Sequence, residues 1–249
     1  MLVVAAGAAV AGFVQGLSGF AFGLVAMVFW VWAVAPDVAG PLVVACSLLG
    51  QILSIRAARR GFNARTALPF IIGGAIGVPL GAWLLPHIQP AVFKLSLGLF
   101  LALWCPTMLF ARNLPRVTWG GWRADAVVGW IGGVMGGLGG FSGPAPTLWC
   151  SLRGWDKDAQ RAMFQSFHLC MHTLTLTAYA ASGLLTARSF GMFAVAAPAM
   201  VVPALIGARV YHRFSDIGFR RMILLLLLAS GVMLLANTLP GMLASRPQG

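Results

Sequence analysis

Two short glycine-rich stretches hold the residues best suited to bind a solute: GLSGFAFG at Gly16–Gly23 and GGLGGFSGPAP at Gly136–Pro146. Each interrupts a long apolar run, from Leu2 to Ala35 and from Ala124 to Leu152. Glycine and proline both weaken a helix interior, so each run is expected to form two half-helices of about 14 residues around a non-helical break. A helix that starts just after a break presents unpaired N–H groups and a partial positive charge, and glycine lets a ligand reach the backbone. Two such N-termini meeting from opposite faces would hold an anion without a buried arginine. The candidate binding residues are therefore Gly16, Ser18, Gly19 and Phe20 in the first stretch and Gly140, Ser142 and Gly143 in the second, with the two serine hydroxyls assisting. Pro144 or Pro146 suits the first turn of the second exit helix. The competing role for these glycines is tight helix packing.

A second group lies in the segment 158–182, which carries Gln165, Ser166, His168, His172, Thr173, Thr175 and Thr177. His168 and His172 are four apart and share one helix face. Ionisable side chains at membrane depth usually face a cavity or the bundle interior, and histidine can carry a proton near neutral pH. Gln51, Gln165, His168 and His172 are expected to line a path, with the two histidines as coupling candidates. A third metal ligand is missing beside them, so no metal site is expected. No G-x-x-x-x-G-K-[ST] motif is present, and Ser142 in GFSGP follows no strand. ATP drive and hydrolase chemistry are therefore not expected, and neither is a cofactor.

These residues must be carried by helices in lipid. The chain of 249 residues is 59% hydrophobic and 9% charged, too few charges to cover a water-facing surface. Six segments are long and apolar enough to span, roughly 38–56, 66–86, 92–111, 158–182, 189–210 and 218–238. The net charge of +12 sits in short patches between apolar runs, a pattern of membrane loops rather than of a nucleic-acid surface. The five acids, Asp37, Asp125, Asp156, Asp158 and Asp216, fall at segment ends, which leaves no carboxylate for a mid-membrane proton relay. The four cysteines form no C-x-x-C pair and read as small buried residues. MLVVAAGAAVAGF lacks a basic leader region and reads as mature structure.

The two interrupted runs repeat each other. A shift of 121 places Gly12, Gly16, Gly19 and Phe20 on Gly133, Gly137, Gly140 and Phe141, and Gln51 on His172. One membrane domain, 1–249, is expected from two homologous halves, 1–112 and 123–240, joined by a cytoplasmic linker at 113–122. If both broken runs cross the membrane, the basic residues divide evenly between its two sides. If both are re-entrant hairpins, only Lys94, Arg188 and Arg246 lie on one side, and the other 14 basic residues lie opposite. The positive-inside rule selects the second arrangement. The expected fold is an all-α integral membrane protein of two inverted repeats, each a re-entrant broken helical hairpin plus three transmembrane helices, with both termini outside. Inverted repeats with broken helices are a transporter pattern.

The blocks GFVQGLSGFAFG and GGVMGGLGGFSGPAPTL, opening two halves of a chain this long, resemble the TauE/SafE family of sulfite and organosulfonate exporters. The resemblance covers nearly the whole chain. It implies a bacterial inner-membrane location and export of a small sulfur oxyanion. The first block departs from the family's richer glycine run followed by proline; only the second, with Gly143, Pro144 and Pro146, keeps that form. A proton-coupled secondary exporter is the expected function. An uncoupled anion channel and a non-transporting membrane assembly factor are the alternatives. The expected partners are the small anion and the bilayer, with homo-oligomerisation left open.

Overall fold

The computed structural model describes residues 1–19, 21–58, 64–110, 116–155, 157–210 and 216–244. Among them are α1 (Leu2–Ser18), α2 (Phe22–Trp30), α3 (Pro36–Ala58), α4 (Ala64–Leu84), α5 (Pro90–Phe110), α6 (Gly121–Gly137), α7 (Pro144–Leu152), α8 (Lys157–Ala181), α9 (Ala187–Val210) and α10 (Asp216–Ala244). A 3-10 turn, Leu85–His87, extends α4, and no strand occurs among the described residues. Residues 113–115 of the expected linker lie outside them.

Five helical stretches are long and apolar enough to cross a membrane: Pro36–Leu53, Arg65–His87, Pro90–Phe110, Ala187–Val210 and Ile223–Pro240. The sixth expected span, 158–182, is helical as α8 but is not one of the apolar spans. Its 25 residues exceed the roughly 20 that a bilayer needs, but its amide, hydroxyl and imidazole groups keep it out of the apolar class.

Both interrupted runs break where glycine was expected to break them, but not into equal halves. The entry helices α1 and α6 have 17 residues and the exit helices α2 and α7 have nine. Glycines inside the entry helices do not end them, because tertiary contact offsets their weak helix preference. A Cβ at Gly12 would lie 2.6 Å from the Met200 carbonyl of α9, and one at Gly137 would lie 2.5 Å from the Val78 carbonyl of α4. At the breaks the chain turns on positive-φ glycines, Gly19 at φ 84° in the first and Gly139 and Gly140 at φ 159° and 79° in the second.

Each exit helix folds back along its entry helix. Trp30, the last residue of α2, donates its indole N–H to the Val4 carbonyl near the start of α1 at 3.2 Å. Trp149 of α7 donates to Asp125 Oδ1 near the start of α6 at 2.7 Å, and the Val117 N–H reaches the Leu152 carbonyl at 2.9 Å. Val4 and Asp125 are themselves related by the shift of 121. The second clasp adds an ion pair, Arg153 to Asp125 at 3.3 Å.

Long-range packing exchanges helices between the two halves of the sequence. α1 packs on α9 through Gly12, Gly16 and Gly207, and α6 packs on α4 through Gly74, Gly81, Gly129, Gly133 and Gly137. α5 and α10 pair at Gly98 and Gly231. One bundle therefore contains α1, α2, α3 and α9, and the other contains α4, α6, α7 and α8. The second bundle has its own core of Phe70, Val78, Cys150, Met163, Phe167 and Met171, separate from the larger cluster that fills the first. The two bundles meet chiefly where α3 runs against α8.

Gly133→Leu must displace the α4 backbone at Gly74, and overpacking of this kind costs about 1–3 kcal/mol or more. It is expected to lower the thermal unfolding midpoint of the detergent-solubilised protein by several degrees or to abolish monodisperse material. Gly191→Leu, at an exposed site where a Cβ meets nothing within 4 Å, is expected to leave the midpoint unchanged.

Candidate functional site

The broken ends of α1 and α6 create carbonyls that no helical N–H can reach, and side chains from other helices serve them. Gln51 of α3 donates to the Gly19 carbonyl at 2.8 Å. Tyr179 of α8, fully buried, donates to the Gly137 carbonyl at 2.6 Å. Trp104 of α5 donates at 3.4 Å to the Pro144 carbonyl, which lies in the first turn of α7 and is not one of the freed carbonyls. Gln165 of α8 donates to the backbone carbonyl of Gln51 at 2.8 Å, which ties the two bundles together across the α3–α8 contact.

The two turns meet beside Val43 of α3. A Cβ at Gly23 would lie 2.8 Å from the Gly140 carbonyl and 3.0 Å from Val43 Cγ1; one at Gly140 would lie 2.6 Å from the same methyl. They differ in exposure. Gly139–Gly143 is buried throughout, whereas Ser18 and Gly19 are half-buried and a Cβ at Gly19 would meet nothing within 4 Å.

Their backbone donors also differ. Pro144 and Pro146 have no N–H, and the Thr147 N–H is taken by the Gly143 carbonyl, so the first turn of α7 offers only Ala145. In α2 the Val25 N–H is taken by Ala21, leaving Phe22, Gly23 and Leu24 as the first-turn donors. The two N-termini are thus unequal: proline at N1 favours the start of α7 and removes donors there.

Around these turns lies a buried polar cluster. Gln15, Ser47, Gln51, Ser142, Gln165, His168, His172 and Thr175 are all less than one-tenth exposed. The only charged side chain buried among the described residues is Asp125, at the far end of α6. His168 and His172 stack with ring centroids 5.8 Å apart and planes at 17°. Ser47 Oγ, Gln51 Oε1, Ser142 Oγ, His172 Nδ1 and Thr175 Oγ1 have no hydrogen-bond partner within the protein. Buried polar groups are ordinarily partnered, so these open atoms are the candidates for contact with a polar guest. A groove of about 280 Å³ between α3, α8 and α9 offers no alternative for an anion; Leu42, Leu48, Ile52, Leu176, Phe190 and Phe193 line it.

The structure distributes the expected site residues among three roles. Gly16 lies against the α9 backbone at Ala204, in a helix contact rather than a turn. Ser18 closes the end of α1: its hydroxyl donates to the Val14 carbonyl at 2.8 Å and accepts from the Ala21 N–H at 3.2 Å. Gly19 and Gly140 are the left-handed turn residues, and Gly143 starts α7, its carbonyl accepting from the Thr147 hydroxyl at 2.7 Å. Ser142, Gln51, Gln165, His168 and His172 belong to the buried cluster. Phe20 lies outside the described residues.

Sequence reasoning missed Gln15, Tyr179 and Trp104. Gln15 is the sole amide in an otherwise apolar α1, a signal available in the sequence. Tyr179 and Trp104 carry no such signal, because an aromatic residue in a membrane helix fits lipid contact equally well.

The family model for the sulfite exporter TauE/SafE matches residues 4–234. This chain belongs to the TauE/SafE family. No curated protein matches it, and no solved structure does. Membership together with the five apolar helices makes it a multi-pass membrane protein of a transporter family. The matched region includes both hairpins and most of α10, so the buried cluster sits wholly inside the TauE/SafE match.

Tyr179→Phe removes the donor to the Gly137 carbonyl and is expected to destabilise the protein by about 1 kcal/mol, read as a lower unfolding midpoint. Thr173→Val, which alters an exposed hydroxyl bonded within its own helix, is expected to change the midpoint little.

Proposed function

We propose that this chain is a secondary transporter that exports a small sulfur-containing anion, sulfite or an organosulfonate, across the inner membrane. The observation that carries this reading is the buried, nearly uncharged polar cluster with open hydrogen-bonding atoms at the seam between two bundles. Family membership supplies the substrate class.

The anion would be held by neutral groups: the Ser142 and Thr175 hydroxyls, His172, and the first-turn N–H groups of α2. Desolvation cost rises with the square of the charge, and no arginine or lysine is buried among the described residues to offset it. A monoanion such as hydrogensulfite or a sulfonate therefore suits this site better than sulfate. His168 and His172 are the groups that would carry a proton inward in exchange for the outward anion, which would couple export to the proton gradient.

The topology proposed is six spans plus two re-entrant hairpins, with inverted halves, both termini outside and the linker in the cytoplasm. The indole clasps from Trp30 to Val4 and from Trp149 to Asp125 support it, since each exit helix returns to the end where its entry helix began. The one-sided distribution of 14 of 17 basic residues supports it as well. Alternating access would come from rocking the two helix-exchanged bundles about the α3–α8 seam, where the Gln165–Gln51 bond must open and close.

Counterflow in proteoliposomes tests the function. Labelled sulfite is expected to exchange saturably with sulfite and with a sulfonate, and only weakly with sulfate; Ser142→Ala is expected to weaken exchange tenfold or more. Absence of exchange for every sulfur anion by folded protein would overturn the substrate assignment. Exchange that ignores a pH gradient would remove the proton-coupling role of the histidines.

Topology has a separate check. Arg116→Cys and Arg188→Cys, both at exposed positions, are expected to react with a membrane-impermeant maleimide from opposite sides of the membrane. Labelling from one side would rule out the inverted arrangement.

A further inference from the structure

The break in the first hairpin leaves three buried oxygens without donors. Gln15 Oε1, Ser47 Oγ and Gln51 Oε1 have no hydrogen-bond partner, and their residues are at most 1% exposed. The orientation of both amides is set by their other arm. Gln15 Nε2 donates to the Ser47 carbonyl at 3.0 Å, and Gln51 Nε2 donates to the Gly19 carbonyl at 2.8 Å. Flipping either amide would set an oxygen against a carbonyl, so each Oε1 must face away from it.

The three side chains come together where the end of α1 contacts α3. Ser47 and Gln51 are four apart on α3 and share a face. The Gln15 amide lies directly over Gly50, so close that any side chain there would collide with it. The Ser47 carbonyl that Gln15 reaches points, as in any α-helix, toward residue 51. α1 ends at Ser18, and the carbonyls of its last turn put the negative end of the helix dipole at the same place.

Two amide oxygens and one hydroxyl oxygen are acceptors without a donor, beside the negative end of α1. We infer that they form a binding site for a small monovalent cation, for which sodium is the probe. Hard cations take oxygen ligands of these types, and unwound helix ends in membrane transporters supply them. The absence of a carboxylate from the cluster decides the charge. Asp125, the only buried acid among the described residues, is in the other hairpin, so nothing here offsets the dehydration of a divalent ion. Half-buried Ser18 and Gly19 provide the entry, with open space beside Gly19.

The second half of the chain has no counterpart. The shift of 121 carries Gln15, Ser47 and Gln51 onto Gly136, His168 and His172, so the oxygen triad of one half faces an imidazole pair in the other. Because the second arm of Gln51 holds the Gly19 carbonyl, an ion on Gln51 Oε1 would also stiffen the first turn. The site needs no assumption about which anion is carried.

Thermal unfolding of the purified full chain tests it, titrated with sodium, potassium or choline chloride at constant ionic strength and without substrate. The midpoint is expected to rise saturably with sodium and not with choline. Ser47→Ala, which removes one ligand and only a hydroxyl's volume, is expected to weaken the sodium dependence at least tenfold. Gln51→Leu is expected to abolish it, but that variant also loses the Gly19 bond, so Ser47→Ala decides. A response shared by sodium and potassium that Ser47→Ala weakens likewise supports a monovalent site. Equal midpoints in all three salts, or a sodium dependence unchanged by Ser47→Ala, would mean that the triad holds only water and would overturn the inference. Since no sulfur anion is present, failure here is distinct from failure of sulfite counterflow.

Discussion

Hydrocarbon offers no hydrogen bonds, so a helix broken at membrane depth must find partners for its free carbonyls and N–H groups within the protein. This one requirement organises the molecule around its two turns. Gln51 of α3 serves Gly19 and Tyr179 of α8 serves Gly137, so the two donors come from different helices. Removing the Tyr179 hydroxyl leaves a buried carbonyl bare, which costs more than the bond itself is worth in water. The bundle is thus assembled about its breaks, and the polar residues that would be unwelcome on a lipid-facing surface are drawn to them.

Close backbone approach supplies the second half of the account. Between membrane helices there is little hydrophobic drive, since lipid tails are as apolar as leucine, and glycine gains contact by letting backbones touch. Gly12 and Gly16 meet α9, and Gly129, Gly133 and Gly137 meet α4. Each entry helix is therefore bound to a helix from the other half of the chain. The packing units are the exchanged bundles rather than the sequence halves, and the separate core around Phe70, Phe167 and Met171 follows that division. A motion that separated sequence halves would have to pull glycine contacts apart. A motion along the α3–α8 seam disturbs mainly the Gln165–Gln51 bond and the facing turns.

The two turns are related in sequence but differ in chemistry. Prolines at 144 and 146 fix the start of α7 and strip it of donors, and the second turn is sealed between α2, α3 and α6. The first turn keeps its N–H groups, stays half-exposed and leans on the amides of Gln15 and Gln51. Such inequality suits a carrier that is open to one face at a time, because an identical pair of turns would bind equally from both.

The sequence by itself determined where the helices break, five of the segments apolar enough for lipid, and that polar residues concentrate in the segment that became α8. These are local properties: glycine and proline act on their own turn, and hydropathy is a sum over neighbours. Gln51, Gln165, His168 and His172 were legible for the same reason, as polar groups in apolar surroundings. Only the tertiary structure decided that the halves of each broken run are 17 and nine residues long, because the glycines that should weaken α1 and α6 are held helical by α9 and α4. It also decided that Gly16 packs against a helix while Gly19, three residues later, makes the turn. Tyr179, Trp104 and the indole clasps became visible only there, since an aromatic side chain looks the same in sequence whether it faces lipid or donates to a carbonyl 42 residues away. Which surface meets which is a property of the assembled chain, and no local pattern encodes it.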